Sequence, residues 1–333
     1  MIPPRRRLRE TLTLTDRRVV SGHPALFTRR RFLVGAALAV AIGGDGRLGR
    51  IVAGPRVPPD AAGRYIWPER PDPVRWPDGG LTVAWIGHAT FLVRLDGLTI
   101  LTDPAFFNRV GLRPLGLLTL GPRRLSPPAL SLYHLPPIDL VLLSHAHMDH
   151  TDRPSLQRLP SKPPVILAAD TTEFVADLGF GELQELGWGE TAEVDGVRIE
   201  ALRPKHYGRR YPWDRNRGYN SYLLSTQGIN LLFAGDTART DRLVRGLNGR
   251  RVDVAMLPIG AYNPWIKSHA TPEQTWRMFR EIGARYLIPM HWRTFQLSNE
   301  PVFEPIERLK RAAGPAASQI VIDSIGQTWS LPA

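Results

Sequence analysis

Six consecutive residues near the middle of the chain, His145-Ala146-His147-Met148-Asp149-His150, concentrate its chemistry. Imidazoles two residues apart point the same way only on extended backbone. The Asp-His pair that follows must then turn back, so four donors converge on one small volume. Three more donors sit just past apolar runs: His206, Asp236 in the segment FAGDT, and His291. Together they make five imidazoles and two carboxylates. A catalytic tetrahedral zinc takes three protein ligands and keeps one open position, so seven donors suit two metals with an aspartate between them. The chemistry on offer is hydrolysis, because a zinc-held water loses its proton near pH ~7. Asp149 and Asp236 are therefore candidates for catalysis as well as for ligation. The chain has no Cys, which removes thiolate ligands, disulfides and a Cys nucleophile together.

Donors so placed need strands to carry them. Leu81–Ile86, Phe91–Leu95 and Leu98–Thr102 read as strands, the last two joined by the tight turn Asp96-Gly97. Residues 138–143, apolar except for Asp139, and 165–169 are apolar runs, the pattern of strands buried on both faces. Val197–Leu202 alternates. Residues 219–225 and 229–234 flank a Gln227-Gly228 turn, and 253–259 with 287–290 are further buried strands. Thr271 starts the clearest helix, with Pro272 at its first position, Gln274 closing a capping box, and an apolar face of Trp276, Phe279 and Ile282. The pattern predicts an α/β protein with two mixed sheets covered by helices.

The charge is unevenly spread. Residues 1–56 hold twelve arginines against Glu10, Asp16 and Asp45, a net +9 of the total +12, which leaves +3 for everything else. A near-neutral body argues against a phosphate-tracking groove, and no nucleic acid is expected as a partner. Thr28-Arg29-Arg30-Arg31-Phe32-Leu33 precedes a short apolar run to Ile42, too short to span a membrane. This segment resembles a twin-arginine export signal, which predicts a periplasmic or membrane-associated protein; the alternative is a plain basic tail. The domain reading is a basic arm over 1–53, a Pro-rich linker or wrapping segment over 54–80, and a hydrolase domain over 81–333.

The blocks WIGHAT (85–90), LTDP (101–104), LSHAHMDH (143–150), FAGDT (233–237), PIGAY (258–262) and MHWRTFQLSNE (290–300) resemble the metallo-β-lactamase superfamily. More narrowly they resemble its N-acylphosphatidylethanolamine phospholipase D-like branch, and more distantly the ascorbate-6-phosphate lactonase group. The resemblance covers residues 65–330; the first 64 match nothing in the branch, and Arg293 stands where the branch often has a small residue. It implies a four-layer αββα sandwich. It also implies two zinc ions, with manganese or iron as alternatives: one held by His145, His147 and His206, the other by Asp149, His150 and His291, and Asp236 bridging. His88 and His269 match positions near the site that are not ligands. His269 is a candidate proton donor to a leaving oxygen, and His88 a candidate for substrate contact.

Aromatic residues crowd the same stretches, and Tyr262, Trp265 and Trp292 are candidates to touch substrate, with core packing as the competing assignment. Leu112, Leu115, Leu117, Leu118 and Leu120 sit among Gly and Pro in a stretch that reads either as a membrane-touching loop or as a packed connection. The leading expectation is a phosphodiesterase acting on a lipid, with contact to a membrane surface. The alternatives are a lactonase or other acyl hydrolase on a small soluble substrate, and a non-catalytic metal- or nucleic-acid-binding module.

Overall fold

The computed structural model describes residues 70–332 apart from Leu117. The arm over 1–53, its twin-arginine-like segment and the linker up to residue 69 lie outside the described residues. Residues 70–80 wrap onto the body: Pro71 and Pro73 are buried, and Trp76 packs against the main core. The Trp76 carbonyl accepts a 3.0 Å hydrogen bond from Arg94 Nη1. Among the described residues no helix is long and apolar enough to cross a membrane.

The strands are β1 (Leu81–Gly87), β2 (Thr90–Leu95), β3 (Leu98–Thr102), β4 (Leu140–Leu142), β5 (Val165–Ala168), β6 (Leu183–Leu186), β7 (Thr191–Val194), β8 (Val197–Leu202), β9 (Ser221–Ser225), β10 (Asn230–Phe233), β11 (Val254–Pro258), β12 (Tyr286–Met290) and β13 (Thr328–Ser330). They form two sheets, ordered β13-β1-β2-β3-β4-β5-β6 and β12-β11-β10-β9-β8-β7. Both are mixed. The first is antiparallel from β13 to β3 and parallel from β3 to β6. The second is antiparallel from β7 to β10 and parallel from β10 to β12.

Local chemistry explains the pairing. The β2–β3 hairpin closes through Asp96 and Gly97, both left-handed at φ 45° and 90°, the turn that matches the twist of its strands. The central strands β4 and β11 are buried at every position, as their apolar runs require. The edge strand β7 alternates between exposed and buried.

The parallel connections carry helices. A short α1 (Arg153–Gln157) follows β4, α2 (Arg242–Leu247) follows β10, and α3 (Pro272–Ile282) follows β11; α4 (Glu304–Ala313) comes after β12 and packs on α3. One apolar core runs through both sheets, with Trp85, Phe91, Tyr222, Phe233 and Phe279 fully buried. On α3 the buried apolar side chains are Met278, Phe279 and Ile282, while Trp276 is only partly buried.

The capping box of α3 forms: Thr271 Oγ1 accepts from Gln274 N at 3.3 Å, and Gln274 Oε1 accepts from Thr271 N at 3.1 Å. Thr271→Ala is expected to lower stability by about 1 kcal/mol, read as a shift in denaturant midpoint, and Thr271→Ser to restore it. An unchanged midpoint for the Ala variant would show that tertiary contacts alone fix this helix end.

Topology decides where the donors arrive. β1, β3 and β4 run the same way in the first sheet, as do β8, β10 and β12 in the second. Their carboxyl ends lead into His88, Asp103, the 143–150 loop, His206, Asp236 and His291. Sites in open α/β sheets form at this edge because the chain leaves its hydrogen-bonded ladder there and side chains turn inward.

Candidate metal centre

The seven donors read from the sequence meet in one place. His145, His147, His206 and Asp236 form one group, and Asp149, His150 and His291 form a second with His88 against it. Within each group the donor atoms lie within 4.8 Å of one another. Asp236 Oδ2 stands between the groups: it is 3.7 Å from His206 Nε2, 3.8 Å from His145 Nε2, and 3.2 Å from both His150 Nε2 and His291 Nε2.

Hydrogen bonds behind the imidazoles choose their tautomers. Ser144 Oγ donates to Asp103 Oδ2 at 2.6 Å and so accepts from His145 Nδ1 at 2.9 Å. His150 Nδ1 donates to the same Asp103 oxygen at 2.6 Å, while Asp103 Oδ1 accepts from Ser144 N at 2.7 Å. His206 Nδ1 donates to the Ser268 carbonyl at 3.1 Å. With each Nδ1 so engaged, the Nε2 lone pairs of all three rings face the centre.

Those lone pairs fit a cation. His145 Nε2 and His206 Nε2 lie 2.8 and 3.2 Å from His147 Nδ1, three ring nitrogens with at most one proton between them. The buried atoms His150 Nε2, His291 Nε2, His269 Nδ1 and Asp236 Oδ1 have no aligned hydrogen-bond partner, although Asp236 Oδ2 is close to three of them. Leaving a buried polar atom unpaired costs roughly 1–3 kcal/mol, so four together make a poor resting state without positive charge at the centre.

Protonation shows the same need. Burial alone would raise the Asp236 carboxyl, but His150, His291 and His269 hold it well below its ordinary value. Asp149 behaves likewise, held down by His150, His291 and His88 against its burial. Burial opposes charge on His291, yet Asp236 and Asp149 raise it to about 9; His150 is raised in the same way. Burial, with neighbouring rings, takes His147 down to about 3 and lowers His145. The carboxylates thus draw protons onto the second group of imidazoles, and metal ions entering there would release them.

The centre opens into a cavity of about 770 Å³, lined among others by Tyr207, Arg209, Tyr211, Trp265, His269 and Leu297. Trp265 is half exposed at its wall. Three expected substrate contacts are placed elsewhere. His88 is buried behind Asp149, its Nε2 2.9 Å from Asp149 Oδ2, because its backbone is pinned by Thr294 Oγ1 and Trp85 Nε1. Burial takes it down to about 3, so a neutral ring donates Nε2–H to the carboxylate. Tyr262 is buried, its hydroxyl donating to Glu304 at 2.8 Å with Arg308 over its ring. Trp292 is buried against Trp85 at 5.4 Å. All three are corrected from cavity contacts to supports.

Asp103, Ser144 and Arg210 were missed in the sequence. Arg210 Nη1 donates to the carbonyls of Ala146 and Thr151, bracing the histidine loop from behind. Asp103 had a usable signal, since it follows an apolar strand as Asp236 does; the other two had none. Gly235 explains the glycine in FAGDT. It sits at φ 56°, and a Cβ there would strike Ser144 Cβ at 2.8 Å, forcing the Asp236 loop off the histidine loop.

A frame of two mixed sheets that brings seven imidazole and carboxylate donors to one cleft is that of a metal-dependent hydrolase. A family profile described as a beta-lactamase superfamily domain matches residues 99–292, and the chain belongs to the metallo-β-lactamase superfamily. It is 32% identical over 258 residues to an uncharacterized protein of Mycobacterium tuberculosis, covering 74% of this chain and 68% of that one. It is 31% identical over 252 residues to N-acyl-phosphatidylethanolamine-hydrolyzing phospholipase D 1 of Caenorhabditis elegans, covering 70% of each. Among solved structures, isothiocyanate hydrolase from Delia radicum gut bacteria shares the fold at TM-score 0.62 and 17% identity, covering 76% of this chain and 100% of that one.

Proposed function

We propose that the protein is a binuclear zinc phosphodiesterase that hydrolyses a phospholipid of the N-acylated phosphatidylethanolamine kind, outside the cytoplasm if the twin-arginine-like segment acts as its export signal. His145, His147 and His206 would hold one ion and Asp149, His150 and His291 the other, with Asp236 shared. When bound, the ions would supply Lewis-acid activation of water and of the phosphoryl oxygen. The chain's own residues do the rest. His88 fixes the Asp149 carboxylate, which orients the attacking water. Arg209 pairs with a non-bridging phosphate oxygen, and Trp265, Val110 and Leu297 offer an apolar wall to the lipid portion. Water adds to phosphorus, and the N-acylated alcohol departs with a proton, leaving a phosphatidic acid.

Burial lowers His269 well below its ordinary value, so it faces the cavity as a neutral imidazole. That suits an N–H donor to the departing oxygen better than a strong acid.

One observation carries the choice of substrate. Arg209 lines the cavity, is exposed, and makes no ion pair or side-chain hydrogen bond among the described residues. A phosphodiester brings the single negative charge that such a guanidinium lacks; a simple lactone brings none. The name of the Caenorhabditis relative supports the same class. In a test with a short-chain phosphodiester and a panel of neutral lactones, the diester is expected to be the better substrate. Arg209→Ala should lower kcat/KM for the diester by roughly 10-fold or more, the worth of a charge-assisted hydrogen bond, mainly through KM. Cleavage of lactones with no diester turnover would replace this reading with the acyl-hydrolase one.

A further inference from the structure

Beside the cavity mouth, two short arms of chain, 109–112 and 120–123, are bridged at Arg109–Arg123 and Leu112–Leu120. They pass so closely that a Cβ on Gly111 or Gly121 would strike the carbonyl opposite. Val110, Gly111 and Pro122 face the metal cavity. On the other side Arg109, Arg113 and Arg123 join Arg158, from the end of α1, around a second hollow of about 430 Å³. No carboxylate lines it, and none of the four arginines makes an ion pair among the described residues. Arg109 and Arg113 spend one donor each on the carbonyls of Gly121 and Gly116, and the Arg158 guanidinium lies 4.7 Å from the Phe107 ring centre. Four guanidiniums converging without an acid repel one another unless an anion joins them.

The same arms expose apolar side chains: Leu112, Leu118 and Leu120 are 39%, 55% and 51% exposed. Leucines left in water beside an uncompensated cationic hollow form an amphipathic pair of surfaces, suited to acyl chains and to phosphates at one interface.

We propose that this hollow is a docking site for the phosphate of anionic membrane headgroups, with Leu118 and Leu120 entering the bilayer beside it. A free phosphate ion would satisfy the arginines but give the leucines no role, so the occupant is a lipid surface. The proposal deepens the phospholipid reading and rests on it for the choice of occupant. It places the cavity mouth, on the inner side of the same arms, against the layer that supplies substrate.

The chain contains no Cys, so Leu118→Cys in the full-length protein gives a single attachment point for an environment-sensitive dye. Vesicles of phosphatidylcholine mixed with phosphatidylglycerol should shift the dye emission to the blue, and pure phosphatidylcholine should not. Changing Arg113, Arg123 and Arg158 together to Gln should raise the vesicle concentration at half-response by about 10-fold or more. The thermal midpoint of that variant should stay at the parent's, which excludes unfolding as the cause. The first 56 residues carry nine net positive charges of their own, enough to attract anionic vesicles without the hollow, so sedimentation without a dye response overturns the proposal. So does a response to inorganic phosphate in the absence of any vesicle response, which would make the hollow a site for the free ion. A clear dye response in a protein that cleaves no phosphodiester would leave the docking site standing and remove the reaction proposed above.

Discussion

Asp236→Ala is expected to reduce metal content from about two ions per chain to one or fewer, and turnover by about 1,000-fold or more. The size follows from position. Asp236 Oδ2 lies within 3.9 Å of ring nitrogens from His145, His150, His206, His269 and His291, so it serves both donor groups at once. Removing it takes away the one carboxylate oxygen that both groups share, leaving no negative charge between the two positions. Elemental analysis of protein purified without chelator reads the first effect and single-turnover kinetics the second. Full activity in a metal-free preparation would rule out metal-dependent hydrolysis at this centre.

Asp103→Asn should weaken metal binding by about 10- to 100-fold while the protein remains folded. Asp103 is fully buried and does not line the metal cavity. Its carboxylate receives His150 Nδ1–H, Ser144 Oγ–H and Ser144 N–H, and through Ser144 it also fixes His145. An amide of the same shape turns a donor either toward Ser144 N–H or toward Ser144 Oγ–H and His150 Nδ1–H. In both orientations the network behind the two imidazoles loses a bond, and the amide also lacks the negative charge those donors face. Competition with a calibrated chelator measures the change, and thermal unfolding checks the fold. Ser144→Ala should fall between parent and Asp103→Asn, since it breaks the link to His145 and spares the one to His150. Equal affinity in all three proteins would mean that packing, not these hydrogen bonds, sets the rings.

Much of this was legible because the signals are local. Two imidazoles on extended backbone, polar residues just past apolar strands, the Asp96-Gly97 turn and the Thr271 capping box each state their geometry within a few residues. What failed depended on distant contacts. Tyr262 follows Gly260 in one loop and Trp292 opens another after β12, places where side chains are commonly exposed, and nothing nearby in sequence announces Glu304 or Trp85 as partners. His88 read as a cavity residue for the same reason.

Some elements went unread although the pattern was there. α4 has buried Ile306, Leu309 and Ala313 at helical spacing, but its proline and charges hid the face. The edge strands β6 and β13 are half-buried and short, so no clean alternation marks them. The leucines at 112, 118 and 120 stayed ambiguous because exposure of a loop is decided by what packs beside it; Leu117 lies outside the described residues.

The strand directions of the two sheets follow one rule. In chain order β1 to β5 make an antiparallel meander followed by two parallel additions, and β8 to β12 do the same; β13 flanks the first set as β7 flanks the second. In strand order and direction the molecule is therefore a tandem of two like halves, though no repeat shows in the amino acids. Each half brings donors from the carboxyl ends of its strands: His145, His147, Asp149 and His150 after β4 in one, His206, Asp236 and His291 after β8, β10 and β12 in the other. Neither half owns a complete ligand set, because each group of donors draws on both. The centre is thus a property of a seam: a change that shifts either half against the other disturbs both groups of donors at once.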